Sequence, residues 1–302
     1  MSSTALKIAC IGECMGELSG SNGRDFKLDY AGDTFNTAYY LSKCLRNDRA
    51  LVSYITVVGE DKISANMVKH FSTLGLDTSL IFSSAYRTIG LYMIDNDENG
   101  ERSFSYWRSA SAAGTLMDGN RETVLAEKLT GFDLIYLSGI TLAILPKDSR
   151  ERLITLLLSL DVAIAFDPNY REKLWASTDE CQLAFRKIAP SCRYLLASLD
   201  DERALWGVSS ASEAATLWRD MGAEEVIIKD GCAPTLVDGQ SPEYFPVKVI
   251  VEKPLDTTGA GDAFNAGYLS CRLLGEECKA ACDAAHSLCS RVVMNRGAIL
   301  SD

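Results

Sequence analysis

Short apolar runs recur along the chain, at Ile8–Ile11, Val52–Val58, Leu134–Leu137, Val162–Phe166, Tyr194–Ala197 and Val226–Ile228. Runs this short, without polar alternation, fit strands buried on both faces. Between them lie stretches of helical periodicity, at Thr34–Leu45, Ser64–Leu74, Arg150–Leu160, Cys181–Ile188, Ala211–Met221 and Ala263–Leu274. Strand alternating with helix predicts an α/β fold, a mostly parallel central sheet flanked by helices. Two segments break the rhythm, Glu13–Tyr30 and roughly Arg87–Arg108. In the second, Gly90–Asp95 and Arg102–Trp107 flank the turn-like Asn96-Asp97-Glu98-Asn99-Gly100, which reads as a hairpin. The two segments together predict a small β lid over the carboxyl ends of the strands, where open α/β sheets bind ligands. Residues 1–302 are expected to form one domain carrying this discontinuous lid, built from about 13–30 and 87–108. There is no internal repeat and no linker-like stretch.

Composition narrows the partners. With 302 residues, 47% hydrophobic and 24% charged, the chain is in the globular range and can bury a substantial core. A net charge of −11 repels phosphate polymers, which argues against nucleic acid or an anionic membrane. A small anionic ligand would need basic residues of its own. Ten cysteines are scattered without a Cys-x-x-Cys pair, and with only His70 and His286 no zinc set emerges. They read as reduced thiols acting as small hydrophobes. The opening Leu6–Gly12 is broken at once by Glu13, too early for a signal peptide. No stretch nears the roughly 18 apolar residues of a membrane span. A cytoplasmic protein is expected.

The densest chemistry lies in Asp256-Thr257-Thr258-Gly259-Ala260-Gly261-Asp262, which opens a helix. The backbone N–H groups of Gly259, Ala260 and Gly261 can close around an anion where the positive end of a helix dipole also points. Asp262 in the first helical turn can take a proton from a hydroxyl attacking phosphorus. A plain Gly-rich turn with an acidic helix start is the structural alternative. Ala31-Gly32-Asp33-Thr34-Phe35-Asn36 opens an earlier helix, where Gly32 permits close backbone approach and Asp33 and Asn36 share one turn; a simple N-cap is the other reading. Tyr106 and Arg108 share one face of the hairpin strand, an aromatic and a cation suited to a hydroxylated carboxylate ligand. A solvated edge strand would look the same. Asp167-Pro168-Asn169-Tyr170-Arg171 follows a strand, with Arg171 offering a fork to a carboxylate and Asn169 a donor to phosphate or hydroxyl. Ser198 with Asp200-Asp201-Glu202, and Lys229-Asp230-Gly231, close the next two strands. No Gly-x-Gly-x-x-Gly follows the first strand, which disfavours a dinucleotide-dependent oxidoreductase.

Taken together, these residues resemble the ribokinase-type (PfkB) sugar kinase family across essentially the whole chain, Asp256–Leu269 matching its C-terminal signature position by position. Within that family, Ile11-Gly12-Glu13, Gly32–Asn36, Tyr106-Trp107-Arg108, Asp167–Arg171 and Leu174-Trp175 are similar to the 2-keto-3-deoxygluconate kinases. The resemblance implies a ribokinase-like fold and ATP- and Mg2+-dependent phosphorylation of the terminal hydroxyl of 2-keto-3-deoxygluconate. It further implies Asp262 as base, aided by Gly259, Ala260 and Gly261. Gly32, Asp33, Asn36, Tyr92, Tyr106, Arg108 and Arg171 would hold the sugar acid. Asn169, Ser198, Lys229, Gly231 and His286 would join the glycine loop on the nucleotide. The family's Asn-x-x-Glu motif reads here Ser198-Leu199-Asp200-Asp201, with Glu202 one residue late, so Asp201 is preferred beside magnesium without a secure assignment. The resemblance also implies a homo-oligomer paired through lid edges. A neutral-sugar kinase and a non-catalytic sensor on the same fold are the rivals.

Overall fold

The computed structural model describes residues 5–20, 25–96 and 102–300. Its strands run in chain order β1 (Leu6–Ile11), β2 (Met15–Ser19), β3 (Lys27–Ala31), β4 (Ala50–Gly59), β5 (Ile81–Ser84), β6 (Leu91–Asn96), β7 (Arg102–Trp107), β8 (Leu134–Ser138), β9 (Ala163–Asp167), β10 (Cys192–Ser198), β11 (Glu225–Lys229), β12 (Thr235–Asp238) and β13 (Pro242–Phe245). The helices are α1 (Asp33–Arg49), α2 (Lys62–Thr73), α3 (Arg121–Leu129), α4 (Gly139–Ile144), α5 (Lys147–Ser159), α6 (Thr178–Ile188), α7 (Leu199–Trp206), α8 (Ala211–Asp220), α9 (Ala260–Leu273) and α10 (Cys278–Val292). Nine strands form one sheet in the order β13-β12-β11-β10-β9-β8-β1-β4-β5. It is parallel from β11 to β5 and antiparallel through the β12–β13 hairpin.

Alternation along each buried strand sends side chains to two cores. Ile8 and Cys10 of β1 pack with Phe35 and Leu41 of α1 and Phe264 and Leu269 of α9. Ala9 and Ile11 face the other way, toward Leu153, Phe185 and Trp218 of α5, α6 and α8. Full burial of side chains such as Phe166, Phe185 and Trp218 contributes roughly 1.5–3 kcal/mol each. Local chemistry sets several helix starts: Ser177 and Ser210 accept from the N–H groups of Glu180 and Glu213 at 3.2 Å, the Ser-x-x-Glu pattern of a capping box.

A second sheet, β3-β2-β6-β7, is built from segments far apart in sequence, with β2 and β6 parallel and the other pairs antiparallel. The hairpin strands β6 and β7 pair from Leu91↔Trp107 to Asn96↔Arg102, while the expected turn residues 97–100 lie outside the described residues. The expected helices and long strands recur within a few residues of their bounds; α5, for example, begins at Lys147 rather than Arg150. Strands β5, β12 and β13, of four residues each, were not expected, because four residues show no period. All ten cysteines are free thiols: Cys10, Cys14, Cys181, Cys192 and Cys282 are buried, Cys44 and Cys232 are exposed, and Cys271, Cys278 and Cys289 lie in between. Among the described residues no helix is long and apolar enough to cross a membrane.

Candidate active site

The strand order reverses between β8 and β1, and a crevice at such a switch point is where an open α/β sheet takes its ligand. The helices α1 and α9 meet there by their first turns. Asn36 Nδ2 donates to Asp262 Oδ2 at 2.8 Å, and Asn36 Oδ1 accepts from the Gly32 N–H at 3.4 Å. Thr37 Oγ1 donates to the Asp262 carbonyl at 3.4 Å. Asp262 is 9% exposed, and its carboxyl is pushed well above the usual range by burial and then by the charge of Asp33, against the Asn36 hydrogen bond. A carboxylate so placed is a stronger base than a solvated one.

Gly259 sits at the N-cap of α9 with φ 75°, and a Cβ there would lie 2.9 Å from the Cα, Cβ and carbonyl oxygen of Ala298. Both the left-handed backbone and the close approach require glycine. Asp256 anchors the loop: Oδ1 accepts from the Thr258 N–H at 3.0 Å and Oδ2 from the Gly297 N–H at 2.7 Å. Beneath the loop, Lys229 Nζ lies 3.8 Å from where a Gly261 Cβ would stand. Lys229 donates to Asn265 Oδ1 at 2.9 Å and pairs with Asp167 Oδ2 at 3.4 Å, while Asn265 Nδ2 donates to Asp167 Oδ2 at 2.6 Å. Amide donors at a helix start with a cation below them fit the phosphate chain of a nucleotide, although the Ala260 N–H already donates to the Thr257 carbonyl at 3.2 Å. Ser198 is the register partner of Lys229 across β10 and β11, so both stand in one row at the carboxyl ends of their strands. Gly231 follows with φ 53° and open space around it.

The acceptor side differs from expectation in several contacts. Gly32 does lie at a close approach, but what approaches is the carbonyl oxygen of Glu13, 2.3 Å from a would-be Cβ. Asn169, expected on the nucleotide, instead donates through Nδ2 to Asp33 Oδ2 at 2.9 Å; its φ of 36° and the Asn169 N–H to Asp167 Oδ1 bond of 3.0 Å form a tight turn. Arg108 pairs through Nη2 with Glu13, and their side chains are 12% and 1% exposed. Arg171 is half-exposed and pairs with Asp201 at 3.3 Å. Burial pushes the Asp201 carboxyl up, with Arg171 opposing. Tyr92 gives its hydroxyl to Glu17 rather than to open space, and its ring stacks on Tyr106 at 5.8 Å. Tyr106 is 54% exposed on the small sheet. His286 is buried, its Nε2 2.9 Å from Thr235 Oγ1 and its ring against Phe264 of α9.

Glu13, Asp167, Asn265, Tyr136 and Thr37 belong to the site and were not singled out for it from sequence. Tyr136 OH links Thr37 Oγ1 at 3.2 Å to Asn265 Nδ2 at 3.0 Å. Glu13 and Asp167 lay within motifs that carry the family resemblance, and Asn265 carried a signal as a polar residue three after Asp262 on a helix buried throughout this stretch. Glu202 accepts from Trp218 Nε1 at 2.6 Å and the exposed Asp200 pairs with Arg203, which leaves Asp201, paired with Arg171, as the α7 acid beside the candidate site. Among the described residues no cluster of three or more His, Cys, Asp and Glu is placed to hold a metal by itself.

The sequence matches the family described as pfkB family carbohydrate kinase over residues 5–302. It is 40% identical over 300 residues to a 2-dehydro-3-deoxygluconokinase of Escherichia coli (strain K12), covering 97% of each chain. The corresponding protein of Haemophilus influenzae is 36% identical over 301 residues, covering 97% of this chain and 95% of that one. Among solved structures, the 2-dehydro-3-deoxygluconokinase of Thermotoga maritima superposes with a TM-score of 0.82 at 21% identity, covering 98% of this chain and 96% of that one. Aminoimidazole riboside kinase from Salmonella enterica, complexed with its riboside and an ATP analog, gives 0.79 at 22% identity, covering 97% and 94%. These two likenesses show the fold, which is ribokinase-like.

Proposed function

Since the chain belongs to the pfkB family of carbohydrate kinases, we propose that it transfers the terminal phosphoryl group of ATP to the 6-hydroxyl of 2-dehydro-3-deoxygluconate. The observation that carries this reading is the full-length 40% identity to a 2-dehydro-3-deoxygluconokinase, in a chain whose Asp262 lies buried beside the glycine loop. Asp262 takes the proton of the acceptor hydroxyl as its oxygen attacks phosphorus. Amides of 259–261 hold the phosphoryl oxygens, and Lys229 adds a positive charge beneath them. Asn36 keeps the base oriented through its 2.8 Å hydrogen bond. Ser198 and Gly231 flank the nucleotide side, and Gly32, Asp33, Asn169, Tyr92 and Tyr106 frame the acceptor. Arg108 and Arg171 face the acceptor's carboxylate. Asp201 would be the acid to hold magnesium, which would supply positive charge to the transferring phosphoryl group. The small sheet acts as a lid that excludes water from the transfer. Its exposed Phe104, Tyr106 and Trp107 support self-association of a cytoplasmic enzyme through that sheet.

One observation favours a second reading, a kinase for a neutral sugar: Arg108 and Arg171 both already pair with carboxylates of the chain. The deciding measurement is ADP release with magnesium-ATP and 2-dehydro-3-deoxygluconate, beside fructose, ribose and gluconate, with Asp262→Asn as control. Turnover on the keto acid alone, lost in the control, is the expected result. Preference for fructose or ribose would replace the proposed acceptor.

A further inference from the structure

Glu13 follows β1 at the switch point and is 2% exposed, a position that costs a carboxylate heavily unless it is paired. Its partner, Arg108, follows β7 at the root of the small sheet. Neither group has room to leave. A Cβ on Gly90 would come within 2.9 Å of Glu13 Oε1 and 3.2 Å of Arg108 Cβ, and the Glu13 carbonyl is pressed against Gly32. Because Gly32 caps α1 beside Asp33, its contact with the Glu13 backbone places the pair next to the acceptor-side helix start. Among the described residues Arg108 Nε is buried without a hydrogen-bond partner, and the Glu13 carboxylate oxygens have none beyond the ion pair itself. A guanidinium has five N–H donors in a fixed fork, and one carboxylate cannot use them all. An unpaired buried donor in a site is what an incoming acceptor atom would satisfy.

We propose that Glu13 is a positioning residue for the acceptor: it pins the Arg108 guanidinium at the root of the small sheet, so that the remaining donors meet the carboxylate of the sugar acid. This rests on the sugar-acid reading above. Glu13 acts by reach and geometry, and holding Arg108 in place beforehand reduces the ordering cost of binding. Its charge alone would have the opposite effect, weakening the attraction of Arg108 for a second carboxylate. Two variants separate reach from charge. Glu13→Asp keeps the charge and withdraws the carboxylate by one methylene, whereas Glu13→Gln keeps the reach and an acceptor oxygen.

The test is steady-state kinetics of wild type, Glu13→Asp, Glu13→Gln, Arg108→Leu and Glu13→Asp/Arg108→Leu. The acceptors are 2-dehydro-3-deoxygluconate and the same sugar with its carboxylate reduced to hydroxymethyl, and Tm is recorded for every protein. The expected result is that Glu13→Asp raises KM for the acid about tenfold, the worth of a charge-assisted hydrogen bond, with kcat changed less. Glu13→Gln should stay within about threefold of wild type, and the neutral analogue should show no such rise. In the Arg108→Leu background Glu13→Asp should add nothing, since coupled residues are not additive. Equal KM increases for acid and neutral acceptors, additive effects, or a lower acid KM in Glu13→Gln would each overturn the proposal. A wild type inactive on the acid would remove the functional reading and this one together. A wild type active on it with the wrong variant pattern would remove only this one.

Discussion

Asp262→Asn tests the proposed chemistry most directly. The side chain is 9% exposed and held by Asn36 Nδ2 at 2.8 Å, so an amide of the same shape fits by presenting its oxygen to Asn36. What it loses is the ability to accept a proton. General-base assistance is worth about 10²–10⁴ in rate, or about 3–5 kcal/mol of transition-state stabilisation, and kcat should fall by that factor. KM for ATP should stay nearly unchanged, because the loop amides and Lys229 are untouched. The pH behaviour gives an independent signature. Burial and Asp33 raise the Asp262 carboxyl, and only its ionised form is a base, so wild-type kcat should climb with pH until that raised pKa is passed. The asparagine variant should lack this limb. Stability should move in the opposite sense. A carboxyl whose pKa is raised by folding costs stability once pH rises past the ordinary carboxylate range, the cost being complete above the folded pKa. Asp262→Asn should therefore melt above wild type at alkaline pH, the difference closing as pH falls toward 4. ADP-coupled turnover and thermal denaturation from acid to alkaline pH measure both. Wild-type turnover in the variant, or an unchanged acidic limb, would refute the assignment.

Three further outcomes are expected. Arg108→Leu and Arg171→Leu should each raise KM for the sugar acid about tenfold or more while leaving KM for ATP largely unchanged; an equal rise for fructose would contradict their role. Gly259→Ala must place a side chain at φ 75° and 2.9 Å from Ala298, so urea denaturation should show a loss of about 1–3 kcal/mol, together with a higher KM for ATP. Glu202, buried against Trp218 with Oε1 lacking a hydrogen-bond partner among the described residues, is pushed up from 4.5 to about 8 by burial. Its ionisation costs stability progressively between those values, so Glu202→Gln should melt like wild type near pH 4.5 and above it beyond pH 8. A constant difference across that range would argue for a packing effect instead.

How much of this was legible without the structure depends on how local each signal is. The apolar runs that became β1, β4, β8, β9, β10 and β11 were readable because burial on both faces writes itself into consecutive residues. The glycine loop and Asp262 were readable because an anion cradle and a helix start are built within seven consecutive residues. The hairpin strands β6 and β7 were legible, but the parallel pairing of β2 with β6 was not, since nothing local in either strand names its distant partner. The same limit governs the side chains. Asn36 meets Asp262 across 226 residues, Asn169 meets Asp33 across 136, and Asn265 meets Asp167 across 98. Residue type can say that Arg108 is a cation on a strand face, but whether it waits for a ligand or already holds Glu13 depends on how the small sheet seats against β1. Sequence alone thus determined the elements and the reactive loop, whose physics is local backbone geometry and burial period. Only the tertiary structure decided which charges face one another, because in a buried site the energy of each ionised group is set by neighbours that the chain brings in from elsewhere.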